Sequence, residues 1–172
     1  MNVLVAVASK HGATHGIADA IAEELTRLGI GAHVRNLAVS PDLTGFDAVI
    51  IGSAIYMGHV MSPAIDFVDR HAFALSGMPV WLFTSGQLGY ESVVPAKESD
   101  DLTDLADRIG ARGRIGFTGR LASDDLSIGE RIVTKAVHAP EGDFRDWQAI
   151  RAWAQDIAAS LVPLDAAVAA ET

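Results

Sequence analysis

Residues 2–14 read Asn2-Val3-Leu4-Val5-Ala6-Val7-Ala8-Ser9-Lys10-His11-Gly12-Ala13-Thr14. An almost unbroken apolar run passes directly into small and hydroxyl residues. A valine-rich run without polar alternation is the mark of a strand buried on both faces, which occurs in parallel sheets covered by helices. The following segment, THGIADAIAEELTRLG, places Ile17, Ile21, Leu25 and Leu28 at spacings of four and three, with Gly29 as a stop. That is the pattern of an amphipathic helix with a glycine terminator. A doubly buried strand feeding such a helix is the first half of a β-α-β unit.

Outward from this unit the same alternation repeats. Residues 32–38 alternate and read as an edge strand. Residues 47–52, DAVIIG, form a third strand, and Pro63 marks the first turn of a helix lined by Ala64, Ile65, Val68, Ala72 and Leu75. A fourth strand at 79–84, a helix near 101–110, a fifth strand near 113–118 and a helix near 146–161 complete the series. The last helix carries the stripe Ile150, Trp153, Ala154, Ile157, Ala158 and Leu161. One α/β domain over residues 1–162 is expected, with a loose tail at 163–172. Its doubly wound five-stranded parallel sheet has helices on both faces and places ligands beyond the carboxyl ends of the strands.

Composition narrows the function. The 172 residues form naturally one domain, able to bury roughly 70% of the surface exposed when unfolded. The absence of cysteine excludes disulfides, thiolate zinc sites, iron–sulfur clusters and cysteine nucleophiles. With 13 basic against 22 acidic residues, the net charge of −9 argues against a nucleic-acid partner and is compatible with docking on basic protein surfaces. No apolar run reaches the roughly 20 residues that cross a bilayer. The chain enters a strand at once with no charged leader, so a mature, cytoplasmic protein is expected.

Three loops leave the carboxyl edge of the expected sheet. The first is Ser9, Lys10, His11, Gly12, Ala13 and Thr14. Backbone N–H groups converging at a helix N-terminus form an anion site, and hydroxyls add donors. Read alone, the segment is also an ordinary helix cap. It is neither a Walker A loop nor a GxGxxG turn. The second loop, Ser53, Ala54, Ile55, Tyr56, Met57 and Gly58, offers an aromatic face for a planar redox ring. Gly58 supplies a peptide able to turn its carbonyl toward a ring N–H created by reduction. The plainer alternative makes Tyr56 a half-buried loop anchor. The third loop, Ser85, Gly86, Gln87, Leu88, Gly89 and Tyr90, offers backbone amides and a second aromatic ring.

Other chemistry finds less support. His11 and His15 are four residues apart, but no third metal ligand is evident, so no metal is expected. No nucleophile elbow surrounds Ser85. A phosphoacceptor domain needs an aspartate at the end of the third strand, where Gly52 and Ser53 stand. Trp81, Trp147 and Trp153 read as packing residues.

The element order and the three loops resemble the flavodoxin family across nearly the whole chain. More closely, Gly52-Ser53-Ala54-Ile55-Tyr56-Met57-Gly58, Val80-Trp81-Leu82-Phe83-Thr84-Ser85-Gly86 and Gly142-Asp143-Phe144-Arg145-Asp146-Trp147 are similar to flavodoxin-domain proteins related to menaquinone-dependent protoporphyrinogen IX dehydrogenase. The resemblance implies a flavodoxin-like sheet of order 2-1-3-4-5 and FMN as cofactor. Residues 9–14 would hold the phosphate, and the loops at 53–58 and 85–90 the isoalloxazine. Lys10 and His11 depart from the usual threonine-rich phosphate loop.

The resemblance further implies an FMN-dependent oxidoreductase of heme biosynthesis, passing electrons from an organic substrate, such as a tetrapyrrole, to a quinone or other redox partner. A carrier without its own substrate and a flavin-free binding domain are the alternatives. Residues 119–146, between the fifth strand and the last helix, far exceed an ordinary connection of two to six residues. In the resembled proteins an insertion there goes with the distinguishing activity. Ile128 to Val137 reads as a short helix with Arg131 and Lys135 on one face, and the segment is either a substrate flap or a structural lid. Its exposed apolar residues suit a peripheral approach to the inner membrane face or a dimer contact. No general base stands out.

Overall fold

The computed structural model describes residues 1–56, 58–86, 100–121 and 142–161. Met57, Gln87, Leu88, Gly89, Tyr90, the expected helix Ile128–Val137 and the tail at 163–172 lie outside them.

Strand β1 (Asn2–Ala8) runs into helix α1 (Ala13–Arg27), and β2 (Gly31–Asn36) follows with a 3-10 turn at Leu37–Val39. Then come β3 (Ala48–Tyr56), β4 (His59–Val60), α2 (Ser62–Ser76), β5 (Val80–Ser85) and α3 (Asp100–Ile109). Strands β6 (Gly113–Phe117), β7 (Arg120–Leu121) and β8 (Gly142–Asp143) precede α4 (Trp147–Leu161). The main sheet has the order β2-β1-β3-β5-β6, every neighbouring pair parallel. Counted over its five long strands, this is the expected 2-1-3-4-5, a flavodoxin-like doubly wound fold.

The uniform apolarity of the central strands has its counterpart in two cores. On one face Val3, Val5, Val7, Ile50 and Phe83 meet Ile17, Ile21 and Leu25 of α1 and Ile150, Ala154 and Ile157 of α4. On the other, Leu4, Val49, Ile51 and Leu82 meet Phe67 and Val68 of α2 and Leu102, Leu105 and Ile109 of α3. Gly52 is required by the first core, because a Cβ there would lie 2.1 Å from Cζ of Phe83. The Phe83 ring in turn packs edge-on against Trp153 at 6.1 Å between centroids.

Two details differ from expectation. Leu28 is the C-terminal cap of α1 and is 41% exposed, so it is not part of the buried stripe. Strand β3 continues through Tyr56 and folds back into β4, with Tyr56 opposite His59. The second loop is therefore largely a strand extension with a tight turn, in which Gly58 holds a positive φ of 86°.

Past β6 the chain forms a separate two-stranded ribbon. Arg120 pairs with Asp143 and Leu121 with Gly142. Phe144 N donates to Gly119 O at 3.1 Å, and Thr118 Oγ1 donates to Phe144 O. The two ends of the expected insertion are thus brought together at a root beside the carboxyl edge of the sheet.

Candidate functional site at the sheet edge

The sequence of strand–turn–helix dictates where the first loop sits. Helix α1 begins directly off β1, so its amino end points out over the carboxyl edge. Gly12 is its N-cap, in the left-handed conformation at φ 79°, and provides no side-chain cap. No acidic residue occupies the first turn. The loop closes on itself, Gly12 N donating to Ser9 Oγ at 3.1 Å. A helix start with neither a capping oxygen from its N-cap nor a carboxylate is suited to an external anion, since both would compete for the same N–H groups.

Thr14 reaches inward. Its hydroxyl lies 2.7 Å from the hydroxyl of Ser85 at the end of β5, and both residues are buried. This pair joins the first loop to the third across 71 positions of sequence. Next to it on β5, Thr84 Oγ1 is buried with no hydrogen-bond partner among the described residues. A buried hydroxyl without a partner costs about 1–3 kcal/mol and is the kind of atom a polar ligand edge satisfies.

The second loop meets the first through Tyr56. Lys10 Nζ stands 5.3 Å above the centre of the Tyr56 ring, and the His11 ring lies 6.2 Å from it, tilted by 53°. Ser53 supports the turn: Met61 N donates to its Oγ at 3.0 Å, and that hydroxyl donates to Ala54 O. Ala54 and Ile55 are half-buried along the strand extension, while Gly58 is exposed. Gly86, with φ 107°, is wedged between loops, since a Cβ on it would lie 3.4 Å from Ile55 O. A Cβ on Gly119 would come 2.8 Å from Gly86 Cα, so the third loop and the ribbon touch backbone to backbone.

Every described residue expected in the three loops therefore lies at one edge, and side chains or backbone link all three. Met57 and Gln87 to Tyr90 lie outside the described residues. Several contributors were not anticipated. Asp101, at the start of α3, accepts from Val60 N at 3.1 Å and lies 3.0 Å from His59 Nδ1, which fastens the β3–β4 turn to the helix. Arg145 lies against α1, its Nη1 donating to Ala13 O at 3.3 Å. The sequence carried one hint of it, a glycine at position 16 inside an otherwise regular helix. His15 instead pairs with Asp19 on the same helix, Nδ1 to Oδ2 at 3.1 Å. Among the described residues no helix is long and apolar enough to cross a membrane.

The α1 start, with no side-chain cap from Gly12 and no acidic residue in its first turn, has donors suited to a phosphate-sized anion, and Tyr56 stands beside it within reach of Lys10. The sequence profile of the flavodoxin domain matches residues 4–148. The chain belongs to the flavodoxin-domain family. It is 38% identical over 81 residues to protoporphyrinogen IX dehydrogenase [quinone] of Escherichia coli strain K12, covering 46% of this chain and 45% of that protein. The match thus spans about half the length of each protein. Among solved structures, the flavodoxin of Streptococcus pneumoniae TIGR4 superposes with a TM-score of 0.59 at 19% identity, covering 94% of this chain and 100% of that one. The rubredoxin–oxygen oxidoreductase of Desulfovibrio gigas gives 0.63 at 14% identity, covering 93% of this chain and 36% of that one. These two likenesses concern the fold.

Proposed function

We propose that this flavodoxin-domain protein binds FMN at the described edge and is an FMN-dependent oxidoreductase that passes electrons from an organic substrate to a quinone or similar acceptor. The observation that supports it best is the convergence of three loops on one edge, two of them locked by the buried Thr14–Ser85 pair. The named activity of the Escherichia coli relative supports the choice of reaction class.

In this reading Ser9, Lys10, His11, Gly12, Ala13 and Thr14 form the phosphate cradle, in which the N–H groups of the α1 start supply fixed donors. Tyr56 and the Gly58 peptide border the ring, with Ser53, Ala54 and Ile55 supporting that side, and Ser85 and Gly86 border it from the third loop. Met57, Gln87, Leu88, Gly89 and Tyr90, outside the described residues, are assigned to the same two loops by the sequence. The flavin, when bound, supplies the redox chemistry, and the chain supplies position and electrostatics. Lys10 and His11 place basic groups beside Tyr56, which favours an anionic ligand. Thr84 Oγ1 offers a hydrogen bond in a dry environment, where it is worth more than in water. No transmembrane anchor is needed for a peripheral approach to a quinone, and a cytoplasmic setting suits the reading.

Protoporphyrinogen and menaquinone, assayed with the purified chain and FMN, test the reaction class. Multiple turnovers, absent with a conventional flavodoxin, are expected. A chain that takes up FMN yet turns over no better than that control is a carrier. That second reading is favoured by the net charge of −9, which suits docking on a basic partner surface. Replacing residues 124–140 by a short Gly–Ser linker while keeping β7 and β8 asks whether the insertion carries the activity. Unchanged turnover in that variant excludes the insertion from the reaction.

A further inference from the structure

We infer that Arg145 is a positioning residue for the phosphate end of this site, locking the first turn of α1 to the root of the insertion. The inference rests on the FMN reading above.

Arg145 belongs to the short segment between β8 and α4, and its side chain is only 11% exposed. All three of its guanidinium nitrogens are engaged. Nε and Nη2 donate to the Asp143 carboxylate at 2.8 and 2.5 Å, while Nη1 donates to Ala13 O at 3.3 Å. The guanidinium lies 4.3 Å from the centre of the Trp147 ring. A planar fork held by a carboxylate on one side and an aromatic face on another has little freedom left, which suits it to fixing a backbone. Asp143 is itself in β8, paired with Arg120 of β7. The clamp thus runs from the ribbon, through Asp143 and Arg145, to the first residue of α1.

Gly16 supports this reading independently. Glycine inside a helix is unfavourable relative to alanine, so its presence needs a cause. A Cβ at position 16 would lie 2.7 Å from Arg145 Nη1. The helix surface is cut away where the guanidinium seats.

The first turn of α1 is therefore held at two points, by Thr14 to β5 and by Ala13 to Arg145. The N–H groups that would receive the phosphate lie in that turn and in the loop ahead of it. The clamp acts through shape rather than net attraction, because Asp143 matches the guanidinium charge. Removing the guanidinium frees the turn that presents those N–H groups. That loss penalises a phosphate and does not bear on a ligand that lacks one.

The full-length chain, titrated with FMN and with riboflavin by fluorescence quenching, reads this directly. Amide hydrogen exchange of residues 10–16 without flavin provides a second measure. Arg145→Met is expected to weaken FMN about tenfold, the size of one lost charge-assisted contact, while riboflavin changes by less than about twofold. Exchange at 10–16 is expected to accelerate while the rest of α1 stays protected. Arg145→Lys restores part of the FMN affinity. Gly16→Ala, which displaces the guanidinium without removing it, is expected to weaken FMN in the same selective way, with a smaller loss in urea midpoint than Arg145→Met because the alanine favours the helix. The inference is overturned if both variants lower FMN and riboflavin equally, or lower neither, with exchange at 10–16 unchanged, while the wild-type chain binds FMN. A wild-type chain that takes up no FMN overturns the site reading itself.

Discussion

At the residue scale the site depends on contacts that leave no slack. Gly52→Ala forces a methyl into Phe83 at the centre of one core. Overpacking of this kind costs about 1–3 kcal/mol, and a matching drop in the urea midpoint is expected. Thr14→Val removes the hydroxyl pair with Ser85 while keeping the side-chain volume. The loss is expected to be about 1 kcal/mol, with Ser85→Ala adding little on top, because the two share one interaction. A double-mutant cycle on denaturant midpoints measures that shared part. These residues were differently legible in the sequence. Ser85 and Thr14 were visible as hydroxyls at strand and helix ends, but nothing local joins positions 71 apart. Arg145 has no legible role in the sequence, since Ala13, which it bonds, and Gly16, which leaves room for it, lie about 130 positions away.

At the element scale, the strands buried on both faces were the easiest part to read. An uninterrupted apolar run leaves few alternatives, and β1, β3 and β5 follow it closely. The β3 extension to Tyr56 was harder, because Ser53 to Tyr56 lose that uniformity where one face opens. The β7–β8 ribbon has two residues per strand, too few for any periodicity to register. Helix α1 also carries an acid-sensitive brace. Glu24 is 5% exposed and accepts from Arg27 Nη2 at 2.5 Å and from Gln155 Nε2 of α4 at 2.6 Å. The Arg27 hydrogen bond, aided by Gln155, holds its pKa down to about 2 from an ordinary 4.5. A pKa lowered by folding stabilises the folded state fully above the unfolded value and progressively less below it. Stability is therefore expected to fall as pH drops from about 4.5 toward 2. Glu24→Gln should be less stable than wild type at neutral pH and lose less over that window, as urea midpoints across the pH range would show.

At the scale of the whole molecule, one sheet edge gathers loops from positions 9, 53 and 85 together with the ribbon at 119 and 142. The family's β-α-β order makes that gathering a consequence of topology, which is why the fold and the edge are both legible in the sequence. What topology does not supply is the reaction. The acidic composition and the proposed FMN cradle suit a carrier, while the relative's activity and the insertion suit an enzyme, and turnover with protoporphyrinogen and menaquinone separates them. Both readings require the cofactor. Titrating the purified chain with FMN while following flavin fluorescence is therefore the decisive measurement. Saturable quenching at micromolar protein, with riboflavin bound more weakly for want of a phosphate, is the predicted result. Flavin fluorescence left unquenched by a folded chain at that concentration would contradict it.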